Sequence, residues 1–228
     1  MSLEYRQPLI SGHRSDSDPE GISKPLGGYL KRSLDIVVSI SAIIVLSPLF
    51  LMVALAVKLS DGGPVIYAHS RVGYGGRTFG CLKFRTMCVD ADERLHGYLR
   101  ANPAAAAEWE NTQKLKHDPR VTVIGRALRK TSVDELPQLF NILRGDMSLV
   151  GPRPVVTDEL QKYGSHTSKY FIMRPGLTGL WQVSGRNDTT YDERVQLDVA
   201  YSIHWSFWND LKIIMKTLPA LYYGQGSY

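Results

Sequence analysis

The hydrophobic positions change character along the chain. Residues 1–28 show little apolar period and hold Ser11, Gly12, Ser15, Asp16, Ser17, Asp18 and Pro19 in one polar run, the composition of a disordered tail. Residues 36–57 then run 22 positions without a charge, between Lys31-Arg32 and Lys58. As a helix this run is about 33 Å long, enough to cross a bilayer core of about 30 Å. It is too long and starts too late for a cleaved signal peptide, despite Ala54-Leu55-Ala56. A buried helix of a soluble core is the lesser alternative to a membrane segment.

Ser47-Pro48 sits almost at the centre of the run. A proline inside a helix removes a hydrogen bond, and in lipid the freed carbonyl has no water, although a serine hydroxyl can help satisfy it. Basic residues on both flanks leave the positive-inside rule without a direction. Both features follow if the segment turns back at Ser47-Pro48, each half reaching about 16 Å and both ends lying on the cytoplasmic face. A kinked span is the alternative.

Beyond the run, Val65-Ile66-Tyr67 and Thr78-Phe79 flank the turn-rich Gly73-Tyr74-Gly75-Gly76, the pattern of a β-hairpin. The glycines do not form G-x-G-x-x-G, so no dinucleotide site is expected. The hairpin carries Arg71, Arg77, Lys83 and Arg85 with no acid between 69 and 85. Asn102 as cap and Pro103 at the first position open a helix through Ala107 to Trp109. Thr190 and Glu193 form a capping box that opens another. Residues 205–223 are amphipathic and aromatic, suited either to the core or to the membrane interface.

Length and charge narrow the classes. The 228 residues suit one domain with a sizeable core, and 43% hydrophobic against 21% charged residues argues against bulk disorder. The net charge of +5 favours an anionic partner. Residues 111–130 hold Lys114, Lys116, Arg120, Arg126, Arg129 and Lys130 against Asp118 alone, which reads either as a solvated face or as a surface facing lipid phosphates or a nucleotide. This stretch lacks interleaved aromatics, so no nucleic-acid partner is expected. Cys81 and Cys88 form neither a C-x-x-C nor a Cys/His pair, which excludes a zinc finger and a disulfide scaffold and fits a reducing compartment. The six histidines are scattered, and a histidine metal site would need distant assembly.

The chemistry concentrates between Arg129 and Pro154. Leu136, Leu139, Phe140 and Leu143 fall at helical spacing, and Pro137 places the helix start near Asp134. Asp134 and Glu135 could serve only as a cap. They could equally act on phosphorus: a carboxylate at a helix N-terminus is held ionised, and Arg129, Lys130 and Arg153 would lower its pKa further. An ionised carboxylate can attack phosphorus, and the adjacent one can hold Mg²⁺. Pro152-Arg153-Pro154 fixes the backbone on both sides of one guanidinium, which suits phosphate binding.

From about Lys31 to Tyr228 the chain resembles the bacterial sugar transferases, the monotopic polyprenyl-phosphate phosphoglycosyl transferases. The likeness rests on Lys31-Arg32, Ser47-Pro48, Lys83-Phe-Arg85-Thr-Met87, Asp118-Pro-Arg120-Val-Thr122, Ser132-Val-Asp134-Glu-Leu-Pro-Gln138, Gly145-Asp146-Met-Ser-Leu-Val-Gly-Pro-Arg-Pro154 and Arg174-Pro-Gly-Leu-Thr-Gly-Leu-Trp-Gln-Val-Ser-Gly-Arg186. The ending Gly226-Ser227-Tyr228 looks most like the rhizobial exopolysaccharide galactosyl-phosphate transferases. The resemblance implies transfer of a hexose 1-phosphate, galactose first and glucose next, from a UDP-sugar to undecaprenyl phosphate with release of UMP.

Asp134 matches the nucleophile, Glu135 the Mg²⁺-binding acid and Arg153 the nucleotide contact. Lys83, Arg85, Arg129 and Arg186 complete the expected substrate-binding set. The implied fold is α+β and predominantly helical: a tail (1–28), a re-entrant membrane helix (29–60) turning at Ser47 and Pro48, and a catalytic domain (61–228) on the cytoplasmic face of the bacterial inner membrane. That domain would hold a small hairpin and interfacial amphipathic helices against the membrane lipids, and a homo-oligomer is compatible with it. Two rivals stay open. One is a glycosyltransferase using Asp134 as general base and releasing UDP; the other is a non-catalytic lipid-binding adaptor.

Overall fold

The computed structural model describes residues 24–184 and 189–222. In chain order these form α1 (Gly28–Asp61), β1 (Ile66–Val72), β2 (Thr78–Phe84), α2 (Ala91–Ala101), α3 (Pro103–Thr112), α4 (Val123–Thr131), α5 (Gln138–Arg144), β3 (Ser148–Val150), α6 (Thr157–Leu160), α7 (Thr167–Phe171), β4 (Gly176–Thr178), α8 (Leu180–Ser184), α9 (Tyr191–Ile203) and α10 (Phe207–Tyr222). The described residues are mostly helical, with two small sheets: β1 pairs antiparallel with β2, and β3 parallel with β4.

The apolar run forms one helix, continuous through Pro48. Pro48 has no N–H for the carbonyl of Ile44, and Ser47 Oγ donates to that same oxygen at 2.8 Å. The polarity of α1 is inverted relative to a soluble helix. Lys31, Asp35 and Ser39, spaced four apart, are buried, whereas Val37, Ile44, Val45, Leu51, Met52, Leu55 and Leu59 are exposed.

The buried stripe is fastened to the body. Lys31 Nζ donates to Asp210 Oδ2 (2.6 Å) and to the Tyr201 hydroxyl (3.1 Å), which itself donates to Asp210 Oδ1 (2.7 Å). Arg32 caps the C-terminus of α5 through the carbonyls of Ile142 and Leu143. Asp35 Oδ1 accepts from the Leu149 N–H and the Ser148 hydroxyl. Lys31 and Arg32 are therefore internal tethers, not the free flanking charges that the positive-inside rule counts. At the other end Asp61 pairs with Arg85. Both ends of α1 are thus pinned to one body.

That body has its main cluster under α5 and β3, from Leu139, Ile142, Met147, Leu149 and Val150. A second cluster, Val53, Val57, Phe84 and Leu128, seats the second half of α1 on β2 and α4. The free edge of β2 is closed by a side chain: fully buried Asn141 accepts from the Leu82 N–H (2.9 Å) and donates to the Gly80 carbonyl (2.8 Å).

Local expectations match closely. The hairpin forms with longer strands than its pattern suggests. Asn102 caps α3 and the Thr190–Glu193 box opens α9. In α10, Asp210 and Ile213 are buried while Trp208 and Met215 are exposed. Two expectations change. Within the supposed tail, Leu26 donates its N–H to the Ile172 carbonyl and packs on the main cluster. The helix expected to start near Asp134 starts at Gln138, after Pro137.

Candidate active site

β2 and α4 bring the site together. Thr122 Oγ1 accepts from the Gly125 N–H (2.9 Å) and opens α4. Gly125 lets α4 lie against the strand exit, since a Cβ there would stand 2.0 Å from the Thr86 carbonyl oxygen. This contact brings Arg129 Nε to Thr86 Oγ1 at 2.9 Å. Ser132 ends α4 with φ 57°, a left-handed reversal. The reversal throws Val133–Glu135 into a single 3-10 turn that carries both acids.

The two acids have different environments. Asp134 is 8% exposed. Burial raises its pKa to about 6; Lys83 and Arg129 oppose the rise and Glu135 adds to it. The expected lowering by a helix terminus and by basic neighbours is overturned. The turn precedes the helix, Lys130 is exposed, and desolvation outweighs the cations. Glu135 is half-buried and accepts from Lys83 Nζ at 2.7 Å through Oε1.

Arg153 leaves β3 on a loop that is held at both sides. The Val72 N–H donates to the Val155 carbonyl (2.9 Å), and the Tyr170 hydroxyl donates to the Val72 carbonyl (2.8 Å). Pro152 is fully buried. The exposed guanidinium of Arg153 lies 5.9 Å from the Trp181 ring, and that of Arg194 lies 4.7 Å from the same ring. Burial pushes the Cys81 thiol up to about 11, with Lys83, Glu135, Arg71 and Arg153 all close enough to act on it. The buried thiol is inert at neutral pH.

Of the expected set, Asp134, Glu135, Lys83 and Arg129 come together, and Arg153 stands beside Trp181. Arg85 does not join them: its guanidinium holds Asp61 and the Pro64 carbonyl at the end of α1. Arg186 lies outside the described residues. Sequence reasoning missed Thr86 and Trp181, although both lie inside the quoted motifs. No local signal marked them, since their partners Arg129, Arg153 and Arg194 lie 43, 28 and 13 residues away.

No cluster of three or more metal-ligating side chains occurs among the described residues. Mg²⁺ often takes only one or two carboxylates and fills its shell from water and substrate phosphates. Half-exposed Glu135, with Oε2 unpaired among the described residues, fits that use.

Comparison with known proteins matches residues 26–224 to the family described as bacterial sugar transferase. The chain is 56% identical over 91% of its length to the exopolysaccharide production protein ExoY of Sinorhizobium fredii, covering 92% of that protein. It is 53% identical over 96% of its length to the ExoY of Rhizobium meliloti, covering all of it. It is 52% identical over 91% of its length to the undecaprenyl-phosphate galactose phosphotransferase of Salmonella typhimurium, covering 43% of that protein.

Proposed function

This chain belongs to the bacterial sugar transferases, and from that premise we propose that it moves galactose 1-phosphate, with glucose 1-phosphate next in preference, from a UDP-sugar to undecaprenyl phosphate. The name of the Salmonella relative supplies the galactose and the carrier, and the ExoY relatives supply the setting in exopolysaccharide production.

The observation that carries the chemistry is a buried carboxylate with a pKa near 6. At pH 7 about nine-tenths of Asp134 is ionised, yet little water solvates it. Such a group is ready to attack. An Asp134 Oδ bonds to the phosphorus that bears the sugar. The bond to the bridging oxygen breaks, and the electron pair leaves with UMP. A phosphate oxygen of the lipid then attacks the same phosphorus, and Asp134 departs as carboxylate. Lys83 and Arg129 face the charge that builds up, and Arg153 holds a nucleotide phosphate. Glu135 would hold Mg²⁺, which when bound offsets the charge of the pyrophosphate.

Because both ends of α1 are pinned to one body, we read the helix as dipping into one leaflet with the enzyme on the cytoplasmic face, where UDP-sugars are found.

The test omits the lipid acceptor. The protein, incubated with UDP-galactose, should release UMP and gain the mass of a hexose phosphate on the peptide carrying Asp134. Asp134→Asn should lose both while still binding UDP-galactose. Release of UDP in place of UMP, or near-normal turnover by Asp134→Asn, would overturn the reading.

A further inference from the structure

Two stretches of chain interlock around Arg153. The Ser148 N–H donates to the Pro175 carbonyl (2.8 Å), the Gly151 N–H to the Thr178 carbonyl (2.9 Å) and the Gly176 N–H to the Pro152 carbonyl (2.8 Å). Backbones this close need glycine: a Cβ on Gly151 would strike the Arg174 carbonyl oxygen, and one on Gly179 the Gly151 carbonyl oxygen. The exit of β3 is thereby laid against the entry to α8, and Arg153 comes to stand beside Trp181.

Arg153 is fixed in its backbone and almost untethered in its side chain. The Gly176 N–H holds the carbonyl before it, and the Val72 N–H the carbonyl two residues after it. Its guanidinium is exposed and makes no ion pair or hydrogen bond among the described residues. What it meets is the indole of Trp181, 5.9 Å away. Trp181 is only 6% exposed, so the place of its ring is set by packing. Arg194 meets the same ring at 4.7 Å, but its Nε also donates to Thr189 Oγ1 (3.2 Å). Removing the indole would thus leave Arg194 with another hold, and Arg153 with none among the described residues.

The kind of partner matters. A carboxylate beside Arg153 would neutralise it and occupy its donors. An aromatic ring attracts the guanidinium through its quadrupole and takes no N–H, so all five donors stay available to an anion. A long, exposed arginine loses rotamer freedom when it grips a phosphate, and a guanidinium already confined to one region loses less.

We propose that Trp181 is a positioning residue, whose indole ring holds the Arg153 guanidinium where it receives a phosphate of the UDP-sugar. The proposal rests on the reading of Arg153 as the nucleotide contact. Trp181 itself touches no reacting atom and acts through Arg153.

The experiment titrates the full chain in detergent with UDP-galactose and measures turnover in parallel. Trp181→Leu should raise the dissociation constant about fivefold, with kcat and the KM for undecaprenyl phosphate within about twofold of the parent. Trp181→Phe, which keeps a ring, should bind within about twofold of the parent. Arg153→Gln should weaken binding at least as much as Trp181→Leu. Adding Trp181→Leu to Arg153→Gln should then change nothing further, because the ring has no Arg153 guanidinium left to place. A merely structural role would raise the constant in both backgrounds, and equal factors with and without Arg153 overturn the proposal. So does an unchanged constant in Trp181→Leu. An unchanged constant in Arg153→Gln removes the nucleotide role of Arg153 and the proposal with it. Absence of UMP release by the parent would sink the transfer reading alone, since the binding cycle does not depend on turnover.

Discussion

Holding Asp134 ionised at pH 7 costs the folded protein about 3 kcal/mol, because its pKa lies near 6 where an ordinary aspartate titrates at 3.8. The folded pKa is raised, so below pH 3.8 the carboxyl is neutral in both states and the penalty vanishes. It grows between 3.8 and 6 and is full above 6. Asp134→Asn should therefore melt about 6 to 12 °C higher than the parent at pH 7.5, with the difference gone by pH 4. A scan of melting temperature against pH in detergent checks this. UMP release by the parent should fall on the acid side with a midpoint near pH 6, and a rate profile flat from pH 5 to 8 would contradict the assignment. The dyad itself was legible, because adjacent acids before a proline-marked helix are a local pattern. Its protonation was not, because burial is contributed by β2 and α4 folding over it. The roles of Lys31 and Arg85 were hidden for the same reason: their partners, Asp210 and Asp61, lie 179 and 24 residues away.

Elements read well wherever their chemistry is contained in a few residues. The cap at Asn102, the box from Thr190 to Glu193 and the glycine-rich hairpin turn each carry their own signal. Ser47 serving the carbonyl that Pro48 leaves free is also a local device. The two-stranded sheet of β1 and β2 is different, because its free edge is completed by a single amide from α5. Nothing near Asn141 marks it as a surrogate strand. Asn141→Ala should leave the Leu82 N–H and the Gly80 carbonyl unpaired in the core and cost about 3 kcal/mol. The expected readout is a clear fall in melting temperature with weakened hydrogen-exchange protection at Leu82. Unchanged protection there would show that β2 does not depend on this side chain.

The whole molecule hangs on the geometry of α1. A straight span would carry one end of the helix to the far side of the bilayer, whereas Lys31–Asp210 and Asp61–Arg85 bind both ends to the same body. Single cysteines at exposed Tyr29 and Ser60, introduced with Cys81 and Cys88 replaced by alanine, should both react with a membrane-impermeant thiol reagent in inside-out vesicles. Labelling of the two from opposite faces would refute the topology. Hydropathy revealed the apolar run but not which of its faces meets protein, since Lys31, Asp35 and Ser39 disclose their role only when their partners are in place. The inverted polarity of α1 also bears on how a water-soluble form could be made. Deleting the helix would strand Asp210 without its cation, open the carbonyl end of α5 and uncover the Leu149 N–H, so the remainder would lose its chassis along with its anchor. Resurfacing is the workable route: polar replacements at Val37, Ile44, Val45, Leu51, Met52, Leu55 and Leu59 would exchange lipid for water on the outer side and leave the inner lattice of contacts intact.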